Sequence, residues 1–291
     1  MAVTLVSTIL FVLISLFLFE AVFSALLETD KAKAVEGSFL ILDLSMNLTD
    51  RPASFKLEDL TREAITEERK PPSFHLKEVL DAIKKAETDP KIRGIFIKGG
   101  FLPDGYGCGY AAIHELVSAL EDFKKTGKST IGFFSDPSQL DYLVYSICDE
   151  LHMNPSGSLI LNGLANEQIF LGEALERYGV GVQVVRVGEF KGAVEPFIST
   201  QFSKENRMQI SRLLELRWNN YLKTICSNRG LVRDDLIIDL NKTFLFPPDL
   251  CKANGLTDFI TPYGEMLDKL LELGIEDEDS EEFAHIDLID Y

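Results

Sequence analysis

The run Arg186-Val187-Gly188-Glu189-Phe190-Lys191-Gly192-Ala193-Val194-Glu195-Pro196-Phe197 sets one lysine among small and apolar neighbours, with a glycine beside it. A lysine kept in poorly hydrated surroundings loses its preference for the charged form, so its pKa falls from about 10.4. The neutral amine can then take a proton from a serine hydroxyl and turn it into a nucleophile. The same composition also suits an ordinary solvated lysine. Glu189 and Glu195 flank Lys191. Paired carboxylates suit acid–base work, but surface acidity accounts for both more simply in so acidic a chain.

Other positions carry weaker signals. Gly99-Gly100 closes an apolar run. Glycine there lets backbone N–H groups face a cavity and stabilise a developing oxyanion, or it simply makes a tight turn. Ser135, Ser138 and Ser146 surround a strand-to-helix turn, where a serine nucleophile sits well. Ser138 serves equally as a helix cap. The stretch GYGCG at 105–109 is not GxGxxG and follows no strand, so a dinucleotide site is not supported. Neither a GxSxG elbow nor a P-loop occurs. Cys108, Cys148, Cys226 and Cys251 fit no CxxC pattern and read as small buried apolar side chains. His75, His114, His152 and His285 do not pair at metal-ligand spacing. No metal and no other cofactor is expected.

These residues need a scaffold. The 291 residues are 46% hydrophobic, enough for a sizeable core. The formal net charge of −17 argues against nucleic acid as a partner, since phosphate contacts need a basic surface. Residues 37–44, 92–98, 130–134, 151–153 and 182–187 read as short buried strands. Residues 75–86, with Ser73 as a candidate cap, and 111–125, 140–148, 170–178 and 203–227 read as helices. Residues 47–72 carry Pro52, Pro71 and Pro72 and read as a surface loop. Strand and helix alternating at short spacing predict an α/β domain with right-handed crossovers.

Residues 2–19 hold no charge, and after Glu20 the apolar character resumes to residue 27. About 20 apolar residues cross the hydrocarbon layer. A signal peptide has a shorter apolar region after a positive charge, and no Lys or Arg precedes this one, so residues 2–27 are expected to be an uncleaved transmembrane anchor. Val22-Phe23-Ser24 keeps the signal-peptide alternative open.

Together the stretches DPKIRGIFIKGGF (89–101), IHELVSALEDFKKTGKSTIGFF (113–134), YLVYSICDELHMNPSGSLILNGL (142–164), RVGEFKGAVEPF (186–197) and RWNNYLKTICSNRGL (217–231) resemble the signal peptide peptidase A family, peptidase family S49. The resemblance implies a Clp/crotonase-like fold of repeated ββα units preceded by one N-terminal transmembrane helix. It implies residues 37–275 as the peptidase domain, placed outside the cytoplasm. It also implies action on signal peptides and other membrane-released peptides by a Ser/Lys dyad, with Lys191 as general base and Gly99 and Gly100 lining the oxyanion or substrate site.

At the family's nucleophile position, aligned on Tyr142, this chain has Gln139. That matches the lysine-bearing first repeat of the long, two-repeat members, in which the second repeat supplies the serine. Residues 276–291, an acidic run followed by FAHIDLIDY, are then expected to be a linker toward a second repeat. A homo-oligomer or a serine-bearing repeat would complete the site. Two other readings compete. One is a non-catalytic membrane-anchored scaffold of the same fold. The other is a crotonase-type acyl-CoA enzyme, for which no adenine or phosphate pocket is evident.

Overall fold

The structure is a computed structural model that describes residues 34–51, 71–103, 107–185, 187–188, 190–274 and 283–291. The expected anchor at 2–27 lies outside the described residues, as does Glu189. Among the described residues no helix is long and apolar enough to cross a membrane.

The chain begins with β1 (Ser38–Asp43) and a small parallel pair, β2 (Asn47–Thr49) and β3 (Ser73–His75). It continues through α1 (Leu76–Thr88), β4 (Ile92–Lys98), α2 (Tyr110–Lys124), β5 (Ser129–Phe134), α3 (Gln139–Tyr145) and β6 (Glu150–Met153). After β7 (Leu159–Ile160) come α4 (Gly172–Arg177), α5 (Glu195–Ile198), the long α6 (Lys204–Arg229) and α7 (Arg233–Leu240). The last elements are β8 (Leu245–Phe246), α8 (Pro248–Ala253), β9 (Phe259–Ile260), α9 (Tyr263–Leu273) and β10 (His285–Asp287).

Six strands form one sheet in the order β10-β1-β4-β5-β6-β9, every neighbouring pair parallel. This is the α/β unit that the alternating pattern predicts. Successive side chains of a strand point to opposite faces, and both faces here are apolar. Leu40 and Leu42 of β1 and Ile95 and Ile97 of β4 join α1 and α2 in the larger core. Val79 and Ile83 of α1 and Ile113, Leu116, Val117, Leu120 and Phe123 of α2 pack there. Each such side chain contributes about 1.5–3 kcal/mol on burial. Phe39 and Ile41 of β1, Phe96 of β4 and Ile131 and Phe133 of β5 face the other way. They meet Met266 and Leu270 of α9 and Phe283.

Some boundaries differ from expectation. The α1 N-cap is His75, not Ser73, which lies in β3. Residues 182–185 form no strand, because that segment packs on no sheet and stays exposed. Residues 283–291, expected as part of a linker, instead supply β10: Phe39, Leu40 and Ile41 pair with His285, Ile286 and Asp287. Apolar Phe283 and Ile286 are buried and hold the strand there. Three of the four cysteines are buried. Burial pushes the Cys148 thiol up to about 12.

Candidate active site

The carboxyl ends of β4 and β5 meet the start of α3, the region where open parallel sheets place ligands. Gly99 and Gly100 follow β4 directly. Gly99 has φ +79°, and a Cβ there would overlap Asp43 Oδ1 and Ser45 Oγ. Only glycine takes that conformation without strain. A Cβ on Gly100 would lie 3.0 Å from Asp141 Oδ2. The corner is fixed from both sides. Tyr145 donates its hydroxyl to the Gly99 carbonyl at 2.6 Å, and Asp141 Oδ1 accepts the Phe101 N–H at 2.9 Å.

Asp141 is 4% exposed. Its second oxygen accepts the Ser138 N–H at 2.7 Å, while Ser138 Oγ accepts the Asp141 N–H at 3.2 Å. This reciprocal cap starts α3 and identifies Ser138 as a capping residue. The same carboxylate therefore ties the helix start to the glycine corner, a link that sequence spacing does not reveal. Ser146 is buried with its hydroxyl donated to the Leu143 carbonyl, which gives it a structural place.

A groove of about 340 Å³ opens at Gly99 and Gly100, lined also by Asp43, Lys98, Ser135 and Tyr263. Lys98 and Asp43 form an ion pair at 3.6 Å. Gln139 sits one residue into α3. Its Nε2 donates to the Gly163 carbonyl at 3.2 Å, and its Oε1 accepts the Gly163 N–H at 3.1 Å.

Lys191 belongs to a second cluster and does not line that groove. Its loop rests on the first turns of α6. Glu195 is buried, contrary to the expectation of surface acidity. Its carboxylate accepts from Ser203 Oγ at 2.5 Å, from the Ser203 N–H at 3.1 Å and from Asn206 Nδ2 at 3.0 Å. Gln209 Nε2 donates to the Phe190 carbonyl at 3.2 Å. A Cβ on Gly192 would overlap the Asn206 amide. The motif thus fixes the backbone on both sides of Lys191.

The dry pocket expected around Lys191 is not formed by this chain: the side chain is exposed. Its apolar surroundings are themselves uncovered, with Val187 79% and Val185 100% exposed. Apolar neighbours lower hydration only when something packs over them, and residues 162–203 bury little of their surface.

Residues 122–273 match the model of peptidase family S49, and this range includes the Lys191 loop, Asp141 and Gln139. The chain belongs to peptidase family S49. The S49 chain is 31% identical over 242 residues to Protease 4 of Haemophilus influenzae, covering 83% of this chain and 38% of that protein. It is 30% identical over 202 residues to the chloroplastic serine protease SPPA of Arabidopsis thaliana, covering 69% and 29%. Against Protease 4 of Salmonella typhi the figures are 29% over 220 residues, covering 75% and 34%. The chain therefore spans about a third of the length of these curated relatives.

Proposed function

We propose that this S49 chain is the lysine-bearing part of a membrane-anchored serine peptidase that degrades cleaved signal peptides and other membrane-released peptides. Lys191 is its general base, and the serine comes from a partner, either a second repeat or another copy in an oligomer. One observation carries this reading: the loop bearing Lys191 is held rigidly by buried Glu195, Asn206 and Gln209. Catalytic groups need this kind of support from the residues behind them.

In the mechanism, the neutral Lys191 amine takes the proton of the partner's serine hydroxyl as oxygen attacks the scissile carbonyl. Backbone N–H groups at Gly99 and Gly100 face the charge that develops on the carbonyl oxygen. The ammonium then returns its proton to the leaving amine, and water releases the acyl group by the same steps in reverse. For the amine to be neutral, the partner must also cover Val185, Val187 and Phe190. The parallel sheet fits a Clp/crotonase-like fold. Residues 2–27 serve as the anchor, with the domain outside the cytoplasm.

The scaffold reading has one observation in its favour, the exposure of Lys191 in the single chain. Reconstitution with a serine-bearing S49 repeat separates the two. The peptidase reading expects labelling by a serine-directed fluorophosphonate and peptide cleavage, both abolished in Lys191→Ala, because members of a catalytic unit act together. Cleavage that persists unchanged in Lys191→Ala overturns the base assignment. Absence of labelling with every repeat tried supports the scaffold.

A further inference from the structure

The sheet face under α9 is only partly covered. Between α9 and the strands runs a groove of about 530 Å³, within the range of roughly 300–1,000 Å³ typical of ligand pockets. Ile41 and Phe96 make its floor; Leu267 and Leu271, one helical turn apart on α9, and Phe283 make its walls. Its charged side chains include Lys98 and Asp268. Lys98 and Tyr263 line both this groove and the smaller one at Gly99 and Gly100. The two spaces therefore adjoin at these two side chains.

We propose that the α9 groove binds apolar side chains of an extended peptide whose backbone lies along the Gly99–Gly100 corner. This rests on the peptidase reading and specifies its substrate as peptides rich in large aliphatic or aromatic residues. Three features select a peptide as the occupant. The floor is hydrocarbon, so apolar side chains gain by leaving water. The adjoining corner offers backbone amides and the Lys98–Asp43 pair, which match the C=O and N–H groups of a peptide and nothing in an alkyl chain. The chain's own segment 276–282 consists of acidic residues and one serine, the wrong chemistry for this floor.

The test is fluorescence anisotropy with the purified chain and a fluorescein-labelled ten-residue Leu/Ala peptide bearing one terminal lysine. Leu271→Asp puts a charge in the wall, and Leu271→Trp fills the groove with apolar volume; circular dichroism checks folding of each. Losing the burial of one leucine-sized side chain predicts about ten- to hundredfold weaker binding in both. Val185→Asp, on the exposed apolar arm, is expected to bind like wild type. Wild-type affinity in Leu271→Trp, loss of binding in Val185→Asp, or no binding by the unaltered chain overturns the proposal. If Leu271→Asp does not fold, Leu271→Trp decides alone. Lys191→Ala keeps the groove intact and is expected to bind normally. Groove-dependent binding combined with Lys191-independent cleavage would leave the groove standing and remove the peptidase mechanism.

Discussion

Gln139 and Gly163 hold each other through two hydrogen bonds, at 3.2 and 3.1 Å, one in each direction. The side chain at the family's nucleophile position is thereby committed to anchoring the segment that leads out to Lys191. Gln139→Ala removes both bonds, and we expect a loss of about 1–2 kcal/mol in urea unfolding. Gln139→Ser restores a hydroxyl but not a dry base. Fluorophosphonate labelling of the isolated Gln139→Ser chain is expected to stay at background, and strong labelling would show that Lys191 needs no covering partner.

The glycine corner responds differently at its two positions. Gly99→Ala meets both a left-handed backbone and overlap with Asp43 and Ser45, and is expected to cost more than about 2 kcal/mol. Gly100→Ala meets only Asp141 Oδ2 at 3.0 Å and is expected to cost about 1 kcal/mol. Asp141→Ala alone leaves the Phe101 and Ser138 N–H groups without their acceptor, a loss of about 2–4 kcal/mol. Because Gly100 and Asp141 touch, the double variant is expected to be less unstable than the sum. Strict additivity in thermal unfolding would show that the contact carries no energy.

Glu195 is expected to act on cleavage through Lys191. Glu195→Ala leaves the Ser203 N–H and the Asn206 amide without their buried carboxylate partner. In the reconstituted peptidase, kcat is expected to fall about tenfold or more with KM little changed, since a 1 Å displacement of a catalytic group has effects of that order. Retention of α6 in circular dichroism separates this from unfolding. An unchanged kcat would make Glu195 purely structural.

A pH-dependent contact joins the last residue to α1. Tyr291 donates its hydroxyl to Asp89 Oδ2 at 2.9 Å, and Lys85 Nζ reaches both the Tyr291 carbonyl and its ring. The Asp89 carboxyl is held below its ordinary value near 3.8, first by the Lys91 N–H and then by Tyr291 and the nearby Lys128 and Lys85. A carboxylate with a lowered folded pKa adds stability above its ordinary value and loses it as pH falls through the lowered one. Tyr291→Phe should therefore cost about 1 kcal/mol or less at pH 7. The difference from wild type should shrink below pH 4. Chemical denaturation at pH 7 and pH 3 checks the sign.

Much of the scaffold was legible because its signals are local. The runs behind β1, β4 and β5 are apolar and short, and the face of α2 repeats at helical spacing, so their strands and helix lie within a residue or two of expectation. The Lys191 motif was legible as a sequence, and the family match includes it. What escaped depends on distance along the chain. Asp141 reaches Phe101 across 40 positions, and nothing around either residue announces it. Glu195 looked like one more surface acid because its partners are contributed by the following helix. Two-residue strands such as β9 exist only because β6 offers them a ladder.

The pairing of β10 with β1 has a consequence for handling the protein. The stretch Ser-Phe-Leu-Ile-Leu-Asp has the composition of a self-associating segment, and residues 283–291 occupy the border along which it would stack on other molecules. Proteolysis within 276–282 would loosen that guard while leaving the remainder folded. Nicked material should then form fibrils or precipitate, even though every residue of the candidate active site is intact.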